Sequence, residues 1–264
     1  MKKVLWGKRE LHFGVTVALF VFVLFTFLLS CNGTTATAQN QQKKKGDTTL
    51  QWLQQWKAGQ EVSADAVRQF GVARCFAADT LTDAVFSRIW RKSYREGCTI
   101  ARADLRYLRV LHVDGEGKTH TGEMICNRMI ASDLVDIFRK LYEAHYPIQR
   151  MVLIDEYNAD DETSMRANNS SCFNFRKVEG SKKLSKHARG MAVDINTLYN
   201  PCVKRMADGT LFVQPATGKP YINRNKQFPY KISKGDLLWR LFTSHGFKWG
   251  GSWQSLKDYQ HFEK

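Results

Sequence analysis

A carboxylate sits inside an apolar run: Met191-Ala-Val-Asp194-Ile195 reads as a buried strand with an acid in it. Burying a carboxylate is costly unless something neutralises it, so a fold that keeps this strand needs a cation beside Asp194. His187 lies seven positions upstream in Ser185-Lys-His187-Ala-Arg-Gly190, and Gly190 lets the backbone turn between the two. A third donor comes from the far end of the chain, where Asp258-Tyr-Gln-His261-Phe-Glu263 sets a carboxylate and an imidazole three residues apart. His187, Asp194 and His261 would fill three positions of a tetrahedral zinc ion and leave the fourth to water, the layout of a catalytic site. A carboxylate nearby can take the proton of that water, whose pKa zinc lowers to roughly 7. Two acids compete for that part. Glu263, two residues beyond His261, shares its face on a strand, and Asp258 precedes it by three.

The paired pattern Ser-x-His-x-x-Gly-x-Ala-x-Asp and, much later, Asp-x-x-His resembles the zinc D-alanyl-D-alanine carboxypeptidases of the M15 peptidase family, and is most similar to their extracytoplasmic, VanY-type bacterial branch. A polar segment like residues 168–176 precedes the first motif in that branch, and one like residues 194–201 follows it; the matching region runs from about residue 104 to 263. The resemblance implies Zn²⁺ on His187, Asp194 and His261, and Asp258 as the base with Glu263 behind the ligand. It implies Arg176 as the residue that contacts substrate and polarises the carbonyl, and Ser185 as a weaker aid to substrate binding. It implies peptidoglycan stem peptides as substrate, and an α+β fold with a central antiparallel sheet, helices on one side and a zinc cleft. Three alternatives stay open: an endopeptidase with the same metal chemistry, a Cys–His hydrolase using Cys172 or Cys202 with His187, and a non-catalytic wall-binding lipoprotein. A serine carboxypeptidase of the penicillin-binding type needs S-x-x-K, which the chain lacks.

The N-terminus reads as a targeting segment. Lys2, Lys3, Lys8 and Arg9 precede an apolar run over residues 13–29, which ends Leu28-Leu-Ser-Cys31. Cys31 fits the lipidated cysteine of a bacterial lipoprotein; Ala36-Thr-Ala38 offers ordinary cleavage instead, and the run is nearly long enough to stay as a membrane anchor. Every version puts the rest of the chain outside the cytoplasm. The domain reading is thus residues 1–31 signal or anchor, 32–48 a polar linker, 49–103 a helical N-terminal extension, and 104–264 the zinc peptidase domain. The formal charge of +15 fits polyanions such as an acidic wall polymer, and no nucleic-acid motif accompanies it.

The extension predicts a helix over residues 50–70, a second start at Ser63, and a short amphipathic helix over 82–90. Residues 105–113 and 120–127 alternate around Asp114-Gly-Glu-Gly117 and predict a hairpin that sets His112 opposite His120; both are expected as cleft-edge or surface residues. Residues 130–145 carry an apolar helical stripe, 148–154 read as a buried strand, 157–176 as a polar binding loop, 201–229 as a loop, and 233–246 as a helix capped by Ser233 and ended by His245-Gly246. Cys75 and Cys98 could form a local disulfide, and Cys126 reads as a buried thiol.

Overall fold

The computed structural model describes residues 41, 44, 48–178 and 182–264. The apolar run over residues 13–29 and Cys31 lie outside them. Two units are distinguished, Met1–Thr48 and Thr49–Lys264, and the second carries every element discussed below. Among the described residues no helix is long and apolar enough to cross a membrane.

Residues 49–55 are helical (α1). The helix expected to run on to residue 70 breaks because its backbone finds better partners in the sheet. Trp56 turns left-handed (φ 47°), its indole N–H donates to Gly122 O at 3.0 Å, and Gly59 N and Val62 N donate to Thr121 O and Thr119 O at 2.7 and 2.9 Å. Ser63 then starts α2 (Ala64–Phe70), its hydroxyl accepting from Ala66 N. After β1 (Ala77–Thr80), Thr82 caps α3 (Asp83–Ile89) in the same way.

The hairpin forms as its pattern predicts. β2 (Leu105–Val113) and β3 (Thr119–Asn127) pair antiparallel from Leu105↔Asn127 to Val113↔Thr119, and β1 joins the outer edge of β2. Asp114 Oδ1 ties the turn, accepting from Glu116 N and Lys118 N. Asn127 caps α4 (Arg128–Glu143), whose stripe Ile130, Leu134, Ile137, Phe138 and Leu141 is buried. Those side chains join Leu108, Val110, Leu53 and Phe70 in one apolar core. Leu134→Ala would leave a cavity there and cost about 2–5 kcal/mol.

Residues 148–154, expected as a buried strand, form none: Ile148, Met151, Leu153 and Ile154 are buried, Gln149 and Arg150 are exposed, and Ile154 already opens a 3₁₀ turn. Their backbone groups pair singly with different partners: Ile148 N with Val113 O, Met151 O with Glu123 N, and Val152 N with the Asn169 side chain. Residues 201–229, expected as a loop, contain a hairpin, β5 (Cys202–Arg205) with β6 (Leu211–Gln214). Asp236, not Ser233, caps α5 (Leu237–Ser244), accepting from Trp239 N at 2.7 Å. His245 is the C-cap and also contacts Asp133 and Asp136 of α4.

The architecture is α+β, with its strands in three small antiparallel sheets where one central sheet is expected. The second sheet is β4 (Ala192–Asp194), β9 (His261–Glu263) and β7 (Lys248–Trp249), in that order. The third is β6, β5 and β8 (Lys257–Asp258). Cys75 and Cys98 form no disulfide; their thiols donate to backbone carbonyls, Gly71 O and Ile100 O. Cys126 is a buried thiol, as its apolar surroundings imply.

Candidate metal centre

Register alone brings two of the proposed ligands together. In the β4–β9 ladder Asp194 lies directly opposite His261. On its other side Asp194 exchanges both backbone hydrogen bonds with Ser171, at 2.9 and 3.0 Å. The carboxylate is therefore carried by backbone fixed on both edges.

His187 opens a single 3₁₀ turn, His187–Arg189, closed by Gly190 in the left-handed region (φ 65°). A Cβ at Gly190 would stand 2.7 Å from Asn127 N, so only glycine allows both the turn and the hydrogen bond from Asn127 N to Gly190 O at 2.9 Å. Ser185 Oγ accepts from His187 N at 3.2 Å and orders the approach.

Hydrogen bonding fixes which ring nitrogens face inward. His187 Nδ1 lies 2.7 Å from Cys172 O. A carbonyl only accepts, so Nδ1 carries the proton and Nε2 keeps its lone pair. His261 Nε2 lies 3.2 Å from Glu263 Oε2, which leaves its Nδ1 as the free pair by the same reasoning. His187 Nε2 is 3.1 Å from Asp194 Oδ2, His261 Nδ1 is 3.0 Å from Asp194 Oδ1, and the two nitrogens are 3.2 Å apart. One donor atom from each of His187, Asp194 and His261 falls within 4.8 Å of the others, and all three residues are buried. Two inward lone pairs facing each other and a carboxylate are repulsive without a proton or a cation between them. The donor set fits a divalent metal, with outer partners on both imidazoles of the kind that orient metal ligands.

The local electrostatics agree. Burial alone would raise the Asp194 carboxyl, but the charge and hydrogen bonds of His187 and His261 overcome it and hold it far below the ordinary carboxylate range. Burial would lower His261, yet its bonds to Asp194 and Glu263 push it up to about 10.

Asp258 stands beside this set on β8, paired with Cys202 of β5. Its Oδ1 is enclosed with no hydrogen-bond partner. Burial raises its carboxyl to about 6, with Asp194 adding to the rise and His261 opposing it. Gly250 permits the approach: a Cβ there would meet Asp258 O at 2.7 Å and lie 3.3 Å from the His261 Cβ. Trp253 lies with its ring centroid 5.2 Å from that of His261. Trp249 is core instead, its indole N–H on Tyr259 O and its ring stacked near Phe262.

Residues 157–176 are not the surface binding loop that their polarity suggests. Asn168, Asn169, Ser170 and Asn174 are buried and bonded at long range: Asn169 Nδ2 to Val152 O, Ser170 Oγ from Asn196 N, Asn168 Oδ1 from Leu198 N. They form a polar wall that fixes the backbone on either side of Asp194. Arg176 at the end of this segment is one-quarter exposed and paired through Nε with Asp161, which Asn174 Nδ2 also holds at 3.0 Å. Arg176 is not part of the His187–Asp194–His261 cluster. Sequence reasoning missed the Cys172 carbonyl and Gly250: a backbone oxygen carries no residue signature, and a glycine does not announce which backbone will approach it.

A buried His/Asp/His donor set with a raised carboxylate alongside is a candidate divalent-metal site with a candidate base beside it. Residues 179–264, the segment that carries all four side chains, match the family model Peptidase_M15_4, described as D-alanyl-D-alanine carboxypeptidase, and this match supports an M15 peptidase family for the chain. The match spans the last third of the sequence. No curated protein matches the chain, and no solved structure does.

Proposed function

We propose that the protein is a zinc metallopeptidase that removes the terminal residue from D-alanyl-D-alanine-type stem peptides of peptidoglycan. The observation that carries this reading is the pair of imidazoles whose outer nitrogens are occupied and whose inner lone pairs converge with Asp194, inside a segment that matches the peptidase family. His187, Asp194 and His261 would hold zinc, a metal suited to two imidazoles and a carboxylate. When bound, zinc supplies a Lewis acid that activates a water and polarises the scissile carbonyl.

The chain's own residues do the rest. Asp258, with its carboxyl raised to about 6, is ionised at neutral pH yet basic enough to take the proton of the attacking water. The same carboxyl then returns that proton to the leaving amine. Glu263 holds His261 in the tautomer that turns Nδ1 inward. Arg176, held by Asp161 through Nε and by Lys177 O at Nη1, would contact a substrate carbonyl or terminal carboxylate with its guanidinium. Ser185 accepts from His187 N, so its own hydrogen is left to donate to substrate. The setting is extracytoplasmic, with the chain tied to the membrane through its N-terminal segment and lipidated at Cys31.

Purified protein given stem-pentapeptide muropeptides, with products read by mass spectrometry before chelation, after it and on return of zinc, tests the reading. Loss of one terminal D-alanine, abolished by chelator and restored by zinc, is the expected result. An internal cut with the same metal dependence would make the enzyme an endopeptidase. No product from zinc-loaded protein would leave a wall-binding protein without catalysis.

A further inference from the structure

Three acids stand together in the sequence at Asp160-Asp161-Glu162, and each has a different partner. Asp160 caps the short helix Asp161–Arg166, its side chain accepting from Thr163 N at 2.8 Å. Glu162 pairs with Arg166 one turn along and accepts from Ala216 N, both at 3.0 Å. Asp161 reaches off its own helix. One carboxylate oxygen pairs with Arg176 Nε, and the other accepts from Asn174 Nδ2 at 3.0 Å. Asn174 Nδ2 also donates to Ala159 O at 3.2 Å, so the buried amide that braces Asp161 is itself held.

Asn174 and Arg176 are alternate residues of a segment whose main chain frames the metal site. Cys172 O lies 2.7 Å from His187 Nδ1, Asn174 N donates to His187 O at 3.2 Å, and Ser185 N donates to Arg176 O at 3.1 Å. The intervening residues are tied elsewhere: Phe173 N donates to Ile125 O of β3 and Phe175 N to Ser93 O, at 3.0 and 2.9 Å. The main chain of Arg176 is therefore fixed beside the approach to His187, and the long side chain is its remaining freedom. Asp161 removes that freedom. Pairing at Nε uses part of the guanidinium fork, which keeps further donors in fixed geometry for a second carboxylate.

We propose that Asp161 is a positioning residue: it aims Arg176 at the free terminal carboxylate of the peptide and so confines the cut to the chain end, an assignment that rests on the carboxypeptidase reading above. An endopeptidase with the same metal chemistry has no use for such a group. Charge and geometry pull in opposite directions here. The charge of Asp161 repels a substrate carboxylate, so removing a mere counter-charge would strengthen binding of the acid. Orientation acts the other way, because a carboxylate is gripped bidentately only by a guanidinium already held in plane. The pair is partly shielded, with Arg176 one-quarter and Asp161 one-fifth exposed, and orientation is the larger effect.

The full, zinc-loaded chain is given a stem pentapeptide with a free terminal carboxylate and the same peptide amidated there. Wild type should prefer the free acid. Asp161→Asn keeps the size of the side chain and an oxygen for Asn174 Nδ2; it should lower kcat/KM for the free acid about ten- to hundredfold and change the amide far less, with zinc content and melting temperature retained. In an Arg176→Ala background the same substitution should cost nothing further, the non-additivity of residues that act as one pair. A residue that only stabilises the fold would lower both peptides alike and add to Arg176→Ala. Calorimetric binding of D-alanine and D-alaninamide reads the same acid-to-amide ratio with no bond cut, so it decides the role of Asp161 even if the wild type hydrolyses nothing. Equal loss on both peptides, unchanged or tighter binding of the free acid, or loss of zinc from Asp161→Asn would overturn the proposal.

Discussion

Two pairs of histidines meet in this protein at nearly the same distance and do different things. The His187 and His261 rings lie 5.1 Å apart and nearly perpendicular, at 67°. The His112 and His120 rings lie 5.4 Å apart and almost parallel, at 20°. In the first pair the outer nitrogens are occupied by Cys172 O and Glu263, the inner ones converge, and Asp194 lies between them. In the second pair stacking turns the nitrogens away from any shared point. His112 Nδ1 is bound to Ile148 O, its Nε2 is buried with no partner, and His120 Nε2 pairs sideways with Asp114. Proximity of imidazoles therefore does not make a metal site; convergence of lone pairs around a carboxylate does.

The sharpest way to break the contrast is to remove a donor from the first pair. His261→Ala should abolish stoichiometric zinc binding, measured by metal analysis after dialysis, and reduce peptidase activity to background. Asp258→Ala should keep the metal and lose about 10²–10⁴-fold in kcat, as expected of a general base; an Asp258 variant of wild-type kcat would transfer that role to Glu263. Glu263→Gln should weaken zinc affinity by about 10–100-fold through loss of the outer partner of His261, read in competition with a chromophoric chelator.

The second pair predicts an effect on stability with no effect on metal. Burial lowers His112 to about 4, against the pull of its bond to Ile148 and the charge of Asp114, with His120 and Arg150 adding to the fall. In the unfolded chain His112 takes up a proton near its ordinary value of 6.5, and in the folded chain it does not until about 4. Stability should fall as pH drops through that window, by about 3 kcal/mol from this group. His112→Asn should flatten that part of the urea-unfolding profile between pH 7 and 4, relative to wild type.

Both pairs were legible in the sequence, for different reasons. Seven-residue and three-residue spacings around an acid in an apolar strand point to His187, Asp194 and His261. A turn of Asp114-Gly-Glu-Gly117 flanked by alternating residues fixes the register that faces His112 with His120. The expectation that His112 lies at the surface fails, since it is 3% exposed; strand alternation says which side a residue takes, not what later covers it.

The same limit explains residues 168–174. Their polarity suggests a surface loop because their partners, Val152, Asn196 and Leu198, are distant in sequence. The β5–β6 hairpin was missed despite Asp208-Gly209 at its turn, because its strands are four residues long and Lys204, Arg205 and Leu211 are exposed. Strands of four residues are too short to show a period.

The most direct test of the account is zinc stoichiometry across three chains: wild type, His261→Ala, and the His112→Asn/His120→Gln double variant. One equivalent in wild type and in the double variant, with none in His261→Ala, is the predicted result. Zinc retained at full stoichiometry by His261→Ala, or lost from the double variant, would contradict the assignment of the metal to His187, Asp194 and His261.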